Sequence, residues 1–231
     1  GCVFQTRQAK EFFSKNFQKR SRIIWNPVDE KYLAARQKRQ SGGKEERQRS
    51  NHIVSVGRIS KQKNHLLLLK AFSRIMDKFP AAKVQIYGED CEMQVRVELD
   101  QYIEQMKMNE KVEFMGQRDN LEDVIGDAAL FVMPSDYEGM PNALAEAMTL
   151  GLPVIATDCP CKGPAALIED GVSGLLVPVG DENAMADAME KLLSNRELAE
   201  NMGQEAMQVA EKISPFKVYG QWKQYVEDLM A

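Results

Sequence analysis

Apolar residues between positions 51 and 178 fall into short blocks parted by stretches whose apolar positions recur every three or four residues. The blocks His52–Val56, Lys83–Tyr87, Val112–Met115, Leu130–Met133, Pro153–Thr157 and Gly174–Pro178 are rich in Val, Ile and Leu and predict strands. Leu66, Leu69, Phe72, Ile75 and Met76 lie on one helical face between the first two blocks, and Val95, Leu99, Ile103 and Met106 do so between the next pair. Strand and helix alternate, which predicts an α/β fold: a doubly wound, Rossmann-like parallel sheet with helices on both faces. Ligand sites in such sheets gather at the carboxyl ends of the strands.

The flanks differ. Residues 1–28 suggest a short strand (Cys2–Gln5), an amphipathic basic helix and a second strand (Arg22–Ile24) closed by Asn26-Pro27. The polar, cation-rich run from Ala34 to Ser50 has Gly42-Gly43 at its middle and no interleaved aromatics, so it reads as a mobile surface linker. The last 48 residues suggest consecutive helices, the final one carrying an aromatic stripe from Phe216 through Tyr219, Trp222 and Tyr225 to Leu229, expected to be packing surface.

Composition narrows the function. The chain is 44% hydrophobic and 28% charged, an ordinary globular balance, and its net charge of −4 argues against general affinity for nucleic acid or anionic membrane. Any phosphate ligand must then be met by a few placed cations. No apolar run approaches the roughly 20 residues that span a bilayer, and no signal peptide is visible. A start at Gly1-Cys2-Val3 without Met leads us to expect a piece of a longer protein. Of the cysteines Cys2, Cys91, Cys159 and Cys161, none forms a zinc-knuckle spacing, and only His52 and His65 are present, so reduced thiols and no histidine-built metal site are expected.

The chemistry concentrates in Glu138-Gly139-Met140-Pro141-Asn142-Ala143-Leu144-Ala145-Glu146, where the fourth strand gives way to a helix. Gly139 allows close backbone approach and Pro141 suits a helix opening, so free N–H groups and the positive helix end make an anion site. Carboxylates on either side fit hydroxyl groups flanking a phosphate, as in a sugar nucleotide; the spacing also fits a capped helix with two solvated acids. Glu146 lies four residues after Asn142, on the same helical face, placed to accept from a vicinal diol. After the first strand, Arg58 and Lys63 are two cations suited to a diphosphate. Tyr87-Gly88 is a sharp turn or room for a base. Gln117 and Arg118 sit in a polar loop that could offer a base its main-chain groups or be a plain connection. No Gly-x-Gly-x-x-Gly or Walker-type loop is present, which disfavours nicotinamide, flavin and nucleotide triphosphatase chemistry.

These segments, with Gly151-x-Pro153-Val-Ile-Ala-Thr157 and Gly171-x3-Gly174-Leu-Leu-Val177, resemble in order and spacing the glycosyltransferases of family 4 (glycosyl transferases group 1), over roughly residues 22–230. Seven residues separate Glu138 from Glu146, and the Gly-x-Pro-Val-Ile-Ala segment behind them makes the signature specific. The resemblance implies the C-terminal, donor-binding half of a GT-B fold with additional C-terminal helices. It divides the chain into a remnant of the N-terminal acceptor domain and linker (1–21), a nucleotide-sugar donor-binding domain (22–213) and a C-terminal crossover helix (214–231).

It further implies a retaining hexosyl transfer from a nucleoside diphosphate sugar, with uridine the expected base and guanosine and adenosine open, and with no cofactor or metal required. The acceptor would be a glycan or lipid-linked sugar in bacterial surface polysaccharide synthesis. The implied setting is the cytoplasm, with peripheral membrane association of a full-length enzyme at the inner face. By position, Arg58 and Lys63 match the diphosphate clamp, Glu138 the acid that meets the transferred sugar, and main-chain groups of Gly139, Met140, Asn142 and Ala143 the phosphate receivers. Glu146 matches the ribose acid, and Gln117 and Arg118 lie in the base loop. Catalysis is assigned to Glu138, Arg58 and Lys63. Cys159-Pro160-Cys161-Lys162-Gly163-Pro164 resembles a variable segment and receives no chemistry. The N-terminal half is nearly absent, so the chain is expected to be inactive alone, and some of the apolar face of the closing helix (216–229) is expected to be exposed. A nucleotide-sugar-binding module without transfer and a GT-B sugar epimerase remain as alternatives.

Overall fold

The structure, a computed structural model, describes residues 1–41 and 49–230. It opens with β1 (Cys2–Phe4), α1 (Arg7–Glu11), α2 (Lys15–Lys19) and β2 (Ser21–Ile23), then α3 (Glu30–Ser41). The main body runs β3 (His52–Val56), α4 (His65–Ile75), β4 (Lys83–Tyr87), α5 (Met93–Gln105), β5 (Val112–Gly116), α6 (Leu121–Val124), β6 (Leu130–Met133), α7 (Asn142–Thr149), β7 (Val154–Thr157), α8 (Gly163–Leu167) and β8 (Leu175–Val177). It closes with α9 (Glu182–Ser194), α10 (Arg196–Ala206), α11 (Val209–Ile213) and α12 (Pro215–Met230).

Six strands form one parallel sheet in the order β5-β4-β3-β6-β7-β8. The chain steps outward from β3 through β4 to β5, returns to lay β6 beside β3, and steps outward again on the other side. The order therefore reverses between β3 and β6, the point at which sheets of this kind form a ligand crevice at the carboxyl ends of the strands. Side chains alternate across the sheet as the period of two requires. Ile53, Leu130, Val132 and Ile155 join the core under α4, α5 and α9, whereas Val54, Phe131, Met133 and Val154 join the core under α3, α7 and α11. Fully buried Phe72 and Phe131 anchor the two faces.

Three expectations need correction. The linker expected from Ala34 to Ser50 is helical as far as Ser41, because α3 carries good helix formers and a narrow stripe in which Tyr32 is buried and Leu33 and Ala35 pack on the core. Residues 42–48 of that run lie outside the described residues. The single basic helix near the start is two short ones; Thr6 caps α1 by accepting from Ala9 N–H, and the chain restarts at Ser14. The aromatic stripe of α12 is packing surface only in small part, and the exposure expected for some of its apolar face is extensive: Val218 and Tyr225 are the residues this helix buries, whereas Phe216 is 89% exposed. Two buried positions seven apart are two turns apart on one line of the helix; Phe216 and Tyr219 point away from it, whereas Trp222 and Leu229 lie near it and are still exposed. Val218 and Tyr225 meet Ile24 and Val3, and the Tyr225 hydroxyl reaches main-chain carbonyls of Cys2 and Arg20, so α12 packs on the β1–β2 piece.

Candidate functional site

Two strand-to-helix loops line the crevice, one from β3 to α4 and one from β6 to α7. They are laced together. Gln62 O accepts from Asp136 N–H at 2.9 Å, Gln62 Nε2 donates to Tyr137 O at 2.9 Å, and Asn64 Nδ2 donates to Asp136 Oδ1 at 2.6 Å. At their centre Lys63 Nζ meets Glu138 Oε1 at 2.6 Å, with Glu138 only 8% exposed. Ser135, fully buried, donates to the same oxygen at 2.8 Å. A carboxylate this enclosed needs such partners, since an unpaired buried charge is costly. The stem of Lys63 lies over Gly57, which sets its ammonium beside the start of the Arg58 loop.

The start of α7 is left open. Pro141 stands at its N-cap, one position before the expected first helical turn, and no side chain caps the helix. Pro141 has no N–H of its own, so the first-turn amides of Asn142 and Ala143 are the donors on offer. Asn142 is exposed and its Oδ1 accepts from Asn26 Nδ2 at 2.8 Å, with Gln5 donating in turn to Asn26. Gly139 has no left-handed φ; a Cβ there would meet only Gln5 Oε1, at 3.6 Å, so the space beside it is otherwise open. Gly163 is constrained from behind: a Cβ on it would come 1.5 Å from Gly139 O, so the β7–α8 loop presses on the Glu138–Gly139 backbone. Gly88 is required as well, with φ of +149° and Gly57 O only 2.1 Å from where a Cβ would sit.

Glu146 lies within α7, partly buried, against the Tyr32 hydroxyl of α3. Burial raises its pKa above the usual carboxylate value, opposed by Tyr32 and by Lys31. Lys31 also pairs with Glu122 at 3.0 Å and donates to Asp119 O, so the start of α3 draws the β5–α6 loop toward Glu146. Gln117 and Arg118 in that loop are exposed.

Of the residues singled out in the sequence, the structure brings Lys63 into contact with Glu138 and sets both beside the open start of α7. Arg58 is exposed and makes no hydrogen bond or ion pair with the described residues; Gln117 and Arg118 are likewise exposed and make no hydrogen bond or ion pair with Lys63 or Glu138. Ser135, Asn64, Asp136 and Tyr32 were not foreseen. Asn64 carried a signal: it precedes an apolar helical run, caps α4 by accepting from Leu67 N–H at 3.2 Å, and holds φ of +43°. His65 is 1% exposed and its pKa falls to about 3 through burial, with Lys63 adding to the effect. All four cysteines are free. Among the described residues no group of three or more His, Cys, Asp and Glu could hold a metal ion, and no helix is long and apolar enough to cross a membrane.

A second cationic cavity, of about 310 Å³, is lined by Arg36, Arg39, Arg49 and Arg196 together with Gly151 and Glu200. It lies at the other end of the sheet, where Arg49 and Gly151 precede β3 and β7. Its arginines have structural partners: Arg49 donates to Ala128 O and Gly151 O, Arg39 pairs with Asp127 and Arg196 with Glu200. Burial lowers the pKa of Arg49 to about 10, with Arg39 contributing.

The sequence profile described as "Glycosyl transferases group 1" matches residues 36–209. The chain belongs to that family. It is 29% identical over 180 residues to the N-acetylgalactosamine-N,N'-diacetylbacillosaminyl-diphospho-undecaprenol 4-alpha-N-acetylgalactosaminyltransferase of Campylobacter jejuni, covering 78% of this chain and 46% of that one. To the N-acetyl-alpha-D-glucosaminyl L-malate synthase of Bacillus anthracis it is 26% identical over 212 residues, covering 90% and 53%. The chain thus spans about half the length of these curated relatives. Among solved structures, S. aureus TarM in complex with UDP and sugar ligands is 25% identical with a TM-score of 0.80, over 97% of this chain and 43% of TarM. HepE of Anabaena, in complex with UDP and glucose, has a TM-score of 0.83 at 18% identity, over 97% and 62%. This group 1 domain therefore has the α/β fold of one half of a GT-B glycosyltransferase, with C-terminal helices added.

Proposed function

We propose that this chain is the donor-binding half of a retaining glycosyltransferase of family 4, acting on a nucleoside diphosphate sugar. The observation that carries the reading is the Lys63–Glu138 pair beside an uncapped helix start, at the reversal point of a parallel sheet. The diphosphate seats on the Asn142 and Ala143 amides, where the helix dipole favours an anion, and Lys63 and the unpaired Arg58 close on it. Met140 and Gly139 form the floor of the approach. Glu138 accepts from hydroxyls of the transferred sugar, Glu146 from the ribose diol, and the loop of Gln117 and Arg118 meets the base. Uridine is favoured because TarM, at 25% identity, was solved with UDP.

As the bond from sugar to diphosphate breaks, negative charge grows on the bridging oxygen. Arg58, Lys63 and the α7 amides stabilise that charge more in the transition state than before it. The leaving diphosphate stays on the face from which the acceptor enters, so configuration at the sugar carbon is retained. No cofactor is needed. Residues 1–21 form the end of an acceptor-binding half, 22–213 the donor domain and 214–231 the helix crossing back, as the packing of α12 on β1–β2 supports. The acceptor is a glycan or lipid-linked sugar in bacterial surface polysaccharide synthesis, in the cytoplasm at the membrane's inner face; the undecaprenol in the name of the Campylobacter relative supports the lipid-linked class alone. Epimerase chemistry wants an acid/base histidine at these strand ends, and His65 is buried and held neutral.

The test pairs calorimetry of uridine diphosphate on this chain with transfer assays on the chain alone and on a protein carrying both halves. Binding by both proteins with transfer only by the longer one is expected. Transfer by the chain alone would defeat the two-half reading, and no binding by either would defeat the donor site.

A further inference from the structure

Ser135, fully buried at the exit of β6, is held from the neighbouring strand. Thr157 Oγ1, at the end of β7, donates to Ser135 O at 2.5 Å, and Cys159 Sγ reaches the same carbonyl at 3.1 Å. Burial raises the pKa of the Cys159 thiol, so it stays protonated and remains a donor. With its backbone fixed, Ser135 sends its hydroxyl to Glu138 Oε1, the oxygen that Lys63 also meets. A carboxylate oxygen has two lone-pair positions, and these two donors fill both on Oε1. No other hydrogen bond from the described residues reaches this carboxylate, which leaves Oε2 as the free acceptor.

The two donors differ in kind. Lys63 hangs on a flexible stem and has a second duty toward the diphosphate, so its hold on Glu138 weakens when a donor arrives. Ser135 is short and buried, and nothing else competes for its hydroxyl. We propose that Ser135, clamped by Thr157 and Cys159, is a positioning residue that pins Glu138 Oε1 so that Oε2 faces the transferred sugar. This rests on the donor-binding reading above and adds to it a residue that touches no substrate.

The test measures affinity for uridine and guanosine diphosphates and for their glucose and N-acetylglucosamine conjugates by calorimetry on this chain. In Ser135→Ala the ratio of affinities, sugar-linked over free diphosphate, should fall about tenfold for the conjugate the unaltered chain binds best, since a hydrogen bond to a charged group is lost. Affinity for the free diphosphate should stay within about twofold, because the phosphate contacts lie on other groups. Thr157→Val should lower the ratio by a smaller factor and Thr157→Ser should preserve it. That pair decides the matter if Ser135→Ala does not fold. An unchanged ratio in Ser135→Ala, or a parallel loss of both affinities, overturns the positioning role while leaving the donor site standing. If the unaltered chain binds none of these ligands, the donor reading falls and this inference falls with it.

Discussion

Two helices begin at the crevice, one on each side of the point where strand order reverses, and their starts are built differently. At α4 the chain caps its own helix: Asn64 accepts from Leu67 N–H, donates to Asp136, and is followed by an enclosed His65. At α7 the cap position holds Pro141, no side chain accepts from the first turn, and Asn142 is exposed. Adjacent junctions on one sheet thus spend their polar groups in opposite ways. The first is rigid framework that delivers Lys63. The second leaves its first-turn donors uncapped, and on the proposed reading these receive the diphosphate.

The largest effect should come from removing the cations that face the open junction. Arg58→Ala with Lys63→Ala should weaken diphosphate binding by about 3 kcal/mol, more than a hundredfold, as for lost charge-assisted contacts. Calorimetry on the folded double variant checks this, and an affinity within tenfold of the original would remove the clamp.

Next is the enclosed histidine of the closed junction. His65 has an ordinary pKa of 6.5 when unfolded and about 3 when folded, so only the unfolded chain takes up its proton between those values. Stability is full above pH 6.5 and is lost as pH falls toward 3, by about 2 kcal/mol between pH 6.5 and 5. Urea midpoints across that range should fall in the original chain and less steeply in His65→Leu; equal slopes would show that His65 is not the group responsible.

Asn64→Ala should cost about 1–2 kcal/mol of stability, a cap and an inter-loop hydrogen bond together, with a milder loss of diphosphate affinity through Lys63. A stability change below a few tenths would mean that the α4 cap is ornamental. The smallest effect sharpens the contrast from the other side. Asn142→Asp places a carboxylate at the vacant helix start, which should add about 0.3–1 kcal/mol of stability and repel the ligand by a similar amount. Thermal melts and calorimetry should move in opposite directions; a joint gain would place the anion elsewhere.

The sheet was legible because parallel strands buried on both faces write themselves as dense apolar blocks, and all six block positions correspond to strands within a residue or two. The open junction was legible for a related reason: Gly, Pro and flanking acids at a strand end are local chemistry. The α3 helix was hidden because its apolar stripe is narrow and its remaining residues are polar helix formers. Ser135 and Tyr32 were hidden for a different cause. Their surroundings are set by what β7 and α7 bring beside them, Thr157 for Ser135 and Glu146 for Tyr32, and a lone serine or tyrosine in sequence says nothing of a partner on another element.

The most direct measurement is a crystal structure of this chain soaked with uridine diphosphate. Its phosphates should lie at the Asn142 and Ala143 amides, within hydrogen-bonding reach of Lys63 and Arg58, with the ribose at Glu146. Phosphates found instead in the arginine-lined cavity at the opposite end of the sheet, or a crevice left empty at saturating ligand, would contradict the donor-site reading.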